Sequence, residues 1–283
     1  MVSIIIPTYN RAKTIERCIE SLQRQTYSNF EIIIVDDNSN DNTEEIVKRI
    51  NDKRIKYIKH DINKGANAAR NTGVLIAKGN IIAFQDSDDE WIPNKLERQI
   101  KELTDRGVDI VASSFNKYSE GVKSILPKEY IRDEAIAKRV LEKNFFSTQT
   151  ILGKSECFIN NKFDENLPRF QDWELMIRLS QKYKIHFINE PLVNVYVQND
   201  SITKNPHKAI KAIEIIMDKH KILIKNNRKA MAELNILLGN IKYEMNDFSK
   251  CYYLEAIKYD KFNYKTYIRL IIYMYMKLKR CLF

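Results

Sequence analysis

Two aspartates separated by one residue follow a short apolar run and offer carboxylates to a metal ion. The run is 81–84, and the acidic segment 85–91 comes directly after it. A short apolar run bounded by turn residues predicts a buried strand, and ligands of open α/β sheets bind at the carboxyl ends of strands. Hard cations such as Mg²⁺ and Mn²⁺ take oxygen ligands, often together with substrate phosphates. Asp86 and Asp88 therefore predict a metal-diphosphate site.

A structural interpretation of the same segment stays open at this point. Asp89 or Glu90 would then lie near the start of a helix, with Pro93 in the first turn. The acidic residues would form a solvated turn without a ligand. An Asp-x-Asp pair by itself does not decide between the two interpretations.

The elements that must position these carboxylates alternate between strands and helices. Strands are predicted at 2–6, 32–35, 55–58, 81–84, 109–113, 148–152, 186–188 and 191–197. Helices are predicted around 15–22, 41–50 (with Asn40 or Asp41 as cap), Arg70, 96–103, 134–141 and 172–183. This alternation predicts βαβ units and an α/β fold with a mostly parallel sheet. Residues 119–147 are predicted to form a loop and one helix, a lid or an acceptor-facing element.

Composition limits the classes of protein. No apolar run approaches the ~18 residues of a membrane-spanning helix, and the N-terminal residues do not have the pattern of a signal peptide. The four cysteines show no paired spacing, which fits a reducing cytosol. The net charge of +10 lies entirely in residues 204–283, which contain 17 Lys and Arg against 7 Asp and Glu. Such asymmetry predicts contact with an anionic surface, or else a basic solvated helical face.

Residues 1–203 resemble family 2 glycosyltransferases of the GT-A fold. Five segments carry the resemblance in order along the chain: 2–10, 35–39, 63–73, 86–89 and 171–174. The resemblance implies a GT-A domain over residues 1–204. From Pro206 onward the residue pattern is that of helices only, which predicts an all-helical extension over 205–283. The extension also faintly resembles one tetratricopeptide-like hairpin, over 234–260.

The resemblance assigns roles to single residues. It implies nucleotide-sugar binding by Pro7, Thr8, Tyr9, Asp37, Lys64, Arg70 and Asp86. The Asp37 carboxylate can accept a hydrogen bond from the imide of a uracil, and the Arg70 guanidinium can reach a phosphate or shield carboxylates. Asp88 is the expected direct ligand of Mn²⁺ or Mg²⁺, with Asp86 holding ribose or the metal through water. The metal would stabilise the charge of the departing diphosphate.

The resemblance implies that Asp172 is the general base. A carboxylate can take the proton of an acceptor hydroxyl as it attacks, and direct attack inverts the anomeric centre. The family has Glu where this chain has Gln171. A purely capping role for Asp172 stays open. Neither Trp91 nor Trp173 completes the Gln-x-x-Arg-Trp motif of processive members, so addition of one sugar is expected.

The tail is predicted to carry an amphipathic helix over 264–282. At 100° per residue one side groups Tyr264, Ile268, Ile271, Tyr275, Leu278 and Leu282, and another groups Lys265, Arg269, Lys279 and Arg280. Such a helix can lie in the headgroup layer of an anionic membrane. Its apolar side can instead pack on the preceding helices or on a second subunit. A cytoplasmic protein, peripheral to the inner face of the membrane, is the resulting hypothesis.

Other functions are less consistent with the sequence. A nucleotidyltransferase would show a glycine-rich phosphate loop near the N-terminus, and segment 7–10 contains no glycine. A catalytically silent nucleotide-sugar-binding scaffold would not need Asp172. Nucleic-acid binding has only the basic tail in its favour, so no nucleic-acid partner is expected. The expected partners are a nucleotide-sugar donor and a glycan or lipid-linked acceptor.

Overall fold

The computed structural model describes residues 1–197, 205–247 and 250–281, which form two compact units. The first unit contains residues 1–136, 145–165 and 171–197. The second contains 137–144, 166–170 and the described residues from 205 onward. The predicted boundary between residues 204 and 205 adjoins a segment outside the described residues and stays a prediction.

The described part of the chain contains nine strands and twelve α-helices. The strands are β1 (Val2–Thr8), β2 (Phe30–Asp36), β3 (Ile55–Lys59), β4 (Ile81–Phe84), β5 (Glu90–Trp91), β6 (Ile110–Ser119), β7 (Val122–Leu126), β8 (Leu152–Lys154) and β9 (Ile185–Tyr196). The helices are α1 (Ile15–Gln23), α2 (Thr43–Arg49), α3 (Ala66–Ile76), α4 (Lys95–Asp105), α5 (Ile136–Arg139), α6 (Ser155–Ile159), α7 (Gln171–Ser180), α8 (Pro206–Lys219), α9 (Lys221–Lys225), α10 (Arg228–Glu244), α11 (Cys251–Tyr259) and α12 (Tyr264–Cys281).

The sheet joins an all-parallel half to a mixed half. The described strands run in the order β3-β2-β1-β4-β8-β6-β9-β5, and β7 pairs with β6. β3, β2, β1 and β4 are parallel neighbours. Every residue of β1 is buried, because parallel strands have helices on both faces and need apolar side chains on each. The predicted α/β class with a mostly parallel sheet is confirmed, and the carboxyl ends of β1, β2 and β4 meet at one edge.

The prediction of two separate strands at 186–188 and 191–197 is wrong. A single strand, β9, runs parallel to β6 through both. Pro191 has no N–H group to donate to the ladder, which is why the pattern predicted a break. The strand continues past Pro191 through a shift in register, since Ser113 pairs with Ile188 and Ser114 pairs with Pro191.

Three smaller corrections concern local structure. Residues 119–147 contain an unpredicted hairpin of β6 and β7, whose turn has positive φ at Glu120 and Gly121. The predicted strand at 148–152 is a 3₁₀ turn followed by β8. Two helix ends also differ from the prediction: α2 has Asn42 as its N-cap residue, and α7 ends before Tyr183.

Gly73 lets α3 lie close against β1. A β-carbon at Gly73 would come within 2.4 Å of Ile5 Cγ2, and overpacking of this kind destabilises a core by about 1–3 kcal/mol. We therefore expect Gly73→Ala to lower the free energy of unfolding by that amount, measured by urea denaturation. Leu75→Ala is the control on the same helix, because Leu75 is 60% exposed. An unchanged midpoint in Gly73→Ala would show that α3 can move away from β1.

From residue 205 onward, the second unit is helical in its described part. The side chain of Asn205 accepts a hydrogen bond from the Lys208 N–H at 3.1 Å, which caps the start of α8. In α10, Gly239 lies against the ring of Tyr253 in α11, where an added β-carbon would be 2.9 Å from Tyr253 Cε1. α10 and α11 thus form the predicted helical hairpin. Among the described helices, none has the length and hydropathy that crossing a membrane requires.

Candidate active site

The acidic turn follows β4 at the edge where the parallel strands end. The Asp89 N–H donates to the Asp86 carbonyl at 3.1 Å, which closes the turn. The Asp86 and Asp88 side chains are 28% and 24% exposed. Two carboxylates are therefore presented to solvent from one tight turn.

The third carboxylate of this segment has a different environment. Asp89 is buried, and its carboxylate accepts hydrogen bonds from Gln149 Nε2 at 2.7 Å and from the Tyr196 N–H at 2.9 Å. Burial, together with the charges of Asp88 and Asp86, raises the pKa of Asp89 well above its ordinary value. Asp89 therefore holds β9 and the turn before β8 against the acidic segment.

The interpretation of this segment as a helix start is wrong. Residues 90–91 form β5, which pairs antiparallel with β9, and α4 begins only at Lys95.

Lys95 is fully buried, with its Nζ 3.7 Å from the centroid of the Trp91 ring and 2.6 Å from Gln99 Oε1. Burial lowers the pKa of Lys95 well below its ordinary value.

Arg70 lies beside the acidic turn. Its Nη2 donates to Asp86 Oδ1 at 2.8 Å, and its Nη1 donates to Asn67 Oδ1 at 3.3 Å. Its guanidinium carbon is 5.4 Å from the centroid of the Phe163 ring. Arg70 is only 3% exposed, and its Nε has no hydrogen-bond partner among the described residues. A buried cation with an unused donor next to a carboxylate is suited to a phosphate.

Asp37 lies just beyond β2 and is almost fully buried. Its Oδ1 accepts from the Lys64 N–H at 2.8 Å and faces His60 Nδ1 at 2.9 Å, and its Oδ2 accepts from the Gly65 N–H at 2.6 Å. Gly65 precedes α3 with φ of +90°, a conformation that favours glycine. Lys64 thus joins Asp37 through its backbone, while the residue as a whole is exposed.

The end of β1 lies beside Asp37. The Asp37 N–H donates to the Thr8 carbonyl at 2.8 Å. Thr8 is 2% exposed, and its Oγ1 has no hydrogen-bond partner in the described chain. A buried hydroxyl without a partner costs about 1–3 kcal/mol, which a bound ligand would recover. Pro7 is buried and Tyr9 is 42% exposed, so Tyr9 presents an aromatic ring at this edge.

Asp172 lies in the first turn of α7. Its Oδ1 accepts from the Trp173 N–H at 2.7 Å, and the residue is half-buried. Glu174 is fully buried and forms an ion pair at 2.8 Å with Arg178 of the same helix. Arg178 Nη2 also donates to the Lys162 carbonyl at 2.7 Å, which connects α7 to the segment before it. The predicted role of Asp172 as the general base stays a prediction.

Two arginines that the sequence analysis missed also contact the acidic turn. Arg11 Nη2 is 3.7 Å from Asp88 Oδ2, and Arg17 Nη2 donates to the Asp88 carbonyl at 2.7 Å. Arg17 Nε is also 3.0 Å from Glu90 Oε1. The sequence offered one signal, namely that Arg11 follows the predicted nucleotide loop. The turn is thus surrounded by cations that offset its negative charge.

The donor set of the turn fits a hard divalent cation. Asp86 and Asp88 supply carboxylate oxygens, which Mg²⁺ and Mn²⁺ prefer. In residues 1–197, 205–247 and 250–281, no three His, Cys, Asp or Glu side chains are grouped to hold a metal ion. A metal ion here would take its remaining ligands from water and from donor phosphates, as Mg²⁺ usually does.

Comparisons with known proteins agree with this geometry. A family model described as glycosyl transferase family 2 matches residues 3–163. The Escherichia coli UDP-Glc:alpha-D-GlcNAc-diphosphoundecaprenol beta-1,3-glucosyltransferase WfgD is 33% identical over 215 residues, covering 75% of this chain and 83% of WfgD. Matches to three Rickettsia glycosyltransferases, at 34% identity, cover 30% to 35% of their length.

Two solved structures share the fold. S. aureus TarS 1-349 in complex with UDP-GlcNAc superposes with a TM-score of 0.65 at 19% identity, covering 88% of this chain and 73% of TarS. The mannosyltransferase PcManGT from Pyrobaculum calidifontis, in complex with GDP-Man and Mn²⁺, superposes with a TM-score of 0.64 at 18% identity, covering 98% and 86%. The expected GT-A fold with its C-terminal helices is confirmed.

Proposed function

The chain belongs to glycosyl transferase family 2, and we propose that it moves a single sugar from a UDP-sugar to a hydroxyl group of a glycan or lipid-linked acceptor. The observation that carries this proposal is the meeting of Asp37, Arg70 and Asp86 around one sheet edge. α3 begins at the loop that binds Asp37 and carries Arg70, which bonds Asp86. One continuous edge can therefore hold a nucleobase and a diphosphate.

The donor side of the proposal follows from the polar groups at this edge. Asp37 and the unsatisfied Thr8 hydroxyl suit a uracil and its ribose, and the exposed ring of Tyr9 can contact the base. Pro7, near the end of β1, and Lys64, in the loop before α3, lie beside these groups. Arg70 suits the phosphates, and the TarS fold relative binds UDP-GlcNAc.

Asp88 and Asp86 would hold Mn²⁺ or Mg²⁺ against the diphosphate. The bound metal supplies Lewis-acid stabilisation of the charge that develops on the leaving group. Arg70, at 2.8 Å from Asp86, would orient that carboxylate and neutralise part of its charge. The Mn²⁺ in the PcManGT complex supports this assignment.

Asp172 would act on the acceptor. The acceptor oxygen forms a bond to the anomeric carbon while the bond from that carbon to the diphosphate breaks. The Asp172 carboxylate takes the hydroxyl proton, and the nucleoside diphosphate leaves with the bonding electrons. One displacement inverts the anomeric configuration, and the chain then releases a product longer by one sugar.

A donor screen tests the enzyme proposal. Release of nucleotide is measured with UDP- and GDP-sugars, with and without Mn²⁺, using a GlcNAc-diphosphate lipid as acceptor because the acceptor of WfgD is of this kind. We expect release from one UDP-sugar, dependent on acceptor and metal. Nucleotide binding without release from any of these donors would favour the alternative, a catalytically silent scaffold with a helical interaction tail.

The described part of α12 favours membrane contact over packing within the chain. Its exposed apolar face consists of Tyr264, Tyr267, Ile268, Ile271 and Met274, each 39% to 66% exposed. The opposite side packs within the unit, where Thr266 and Tyr273 are buried and the Tyr273 ring is 6.4 Å from that of Tyr253. The structure describes the backbone but not the side chains of the predicted positions Tyr275 and Leu278, and Leu282 lies outside the described residues.

We infer that this apolar face binds an anionic lipid surface. Phe262 is 95% exposed, and Lys261 and Arg269 are exposed beside the face. The +10 excess of the tail is complementary to anionic headgroups, to which each basic residue contributes about 1 kcal/mol. A lipid-linked acceptor would place the substrate at the same surface.

We expect Ile268→Glu combined with Ile271→Glu to abolish flotation of the full chain with phosphatidylglycerol vesicles at low salt. Two charges would then have to enter the headgroup boundary. Leu75→Glu, an exposed leucine of α3, is the control and should float like the parent chain. If the parent chain does not float, the membrane proposal is wrong, and dimers that the double variant disrupts would identify the exposed face as a protein interface.

A further inference from the structure

His60 joins the candidate base-binding carboxylate to α3. It follows β3 directly, and its side chain is 7% exposed. Nδ1 is 2.9 Å from Asp37 Oδ1, and Nε2 is 3.0 Å from Thr72 Oγ1. Its backbone N–H also donates to the Asp36 carbonyl at 2.8 Å. The imidazole is thus fixed at both nitrogens between a strand end and a helix.

The hydrogen-bond chemistry assigns the tautomer of this ring. A carboxylate only accepts hydrogen bonds, so Nδ1 carries a proton and donates to Asp37. In the neutral ring Nε2 is then an acceptor, and the Thr72 hydroxyl donates to it. A histidine whose second nitrogen is engaged keeps its orientation and tautomer.

Asp37 is left with limited acceptor capacity. A carboxylate has about four acceptor sites, and among the described residues hydrogen bonds from His60, Lys64 and Gly65 occupy three of them. Two of these contacts are at Oδ1 and one is at Oδ2. The remaining site lies on Oδ2, the oxygen whose position the other three bonds fix.

We propose that His60 and Thr72 are positioning residues that set the nucleobase selectivity of the donor site by fixing the last acceptor site of Asp37. A uracil offers an imide N–H to such an acceptor, whereas N3 of cytosine is itself an acceptor. A rigid carboxylate therefore favours uracil, and a mobile one discriminates less. This inference rests on the proposed function, since it specifies how the donor base is chosen.

Helix α3 connects the His60–Asp37 contact to Arg70, which would bind the diphosphate. α3 carries Thr72 as well as Arg70, and the loop that precedes it donates two N–H groups to Asp37. Removing the imidazole therefore acts on one of three bonds to Asp37, while the backbone donors remain. We therefore expect a variant without the His60 imidazole to keep the nucleotide site, with a more mobile Asp37 carboxylate.

Calorimetric titration of UDP and CDP, in the presence of Mn²⁺, tests the proposal on the full chain. His60→Leu keeps a side chain of similar size but removes both ring nitrogens. We expect UDP affinity to fall about tenfold, the scale of one lost hydrogen bond to a charged group. CDP affinity should change less, so the UDP/CDP ratio falls. In turnover assays the donor KM rises while kcat stays nearly constant.

Matched variants separate positioning from folding. His60→Gln, which can still donate an N–H, should recover part of the ratio. Thr72→Val should lower the ratio and Thr72→Ser should restore it. In an Asp37→Asn background, His60→Leu should leave the ratio unchanged, because the two residues act as one unit.

Two results would overturn the proposal in distinguishable ways. If the parent chain binds UDP and His60→Leu weakens UDP and CDP equally, or weakens neither, His60 has no role in selectivity and the proposed function still stands. If the parent chain binds no nucleotide with Mn²⁺, the proposed function fails and this inference fails with it.

Discussion

The Asp88→Asn variant is expected to lose at least about 10²-fold in turnover and to lose its response to Mn²⁺. A metal ion contributes several kcal/mol of charge stabilisation in the transition state, and each 1.36 kcal/mol is a factor of ten in rate. The amide keeps the size of Asp88 but removes the anionic oxygen. Initial rates over a range of Mn²⁺ concentrations measure both effects.

Two controls separate ligand loss from disturbance of the turn. Asp105→Asn changes an exposed aspartate of α4 that pairs with Lys101, and it should behave like the parent chain. Thermal unfolding of Asp88→Asn should also match the parent, because the turn is closed by the backbone hydrogen bond from the Asp89 N–H to the Asp86 carbonyl, which the amide leaves in place. Full activity of the parent chain in EDTA, or of Asp88→Asn with Mn²⁺, would contradict metal-assisted transfer.

The Asp172→Asn variant is expected to lower kcat by about 10²–10⁴-fold, the usual effect of removing a general base. Donor affinity should stay nearly constant, since the proton comes from the acceptor. Calorimetry with the UDP-sugar and single-turnover rates with the acceptor measure the two quantities on the same preparation.

The split between binding and turnover decides the role of Asp172. Asn at this position can still accept the Trp173 N–H through its amide oxygen, so a purely capping role predicts little change in either quantity. A parallel loss of donor binding would place Asp172 in the donor site, and unchanged kcat would leave it as a helix cap. Asp105→Asn again serves as the control.

The sequence by itself determined the parallel half of the sheet and the positions of its motifs. Continuous β-branched runs such as 2–6 and 32–35 predict strands buried on both faces, and the helix at 15–22 shows its buried face in its spacing. Acidic residues directly after a strand must lie at the sheet edge. Asp37 and Asp86 could therefore be placed from local patterns alone, and the family follows from the order of five motifs.

These local patterns could not predict the strand pairing in the mixed half of the sheet. A register shift carries β9 past Pro191, and β8 is too short for its composition to show pairing with β4 and β6. Such pairings depend on which distant strand is the neighbour, and local periodicity carries no information about that choice.

Only the tertiary structure decided the burial and the hydrogen-bond partners of each polar group at the site. In sequence, Asp86, Asp88 and Asp89 are three carboxylates of one acidic segment, and their burial cannot be predicted from it. Asp89 is removed from the exposed set because Tyr196, 107 positions later, donates its backbone N–H to it. His60 joins the site because Asp37 and Thr72 lie on either side of it. These contacts connect separate elements of the sheet edge, so the chemical environment of each residue was fixed by folding and could not be read from its neighbours in the chain.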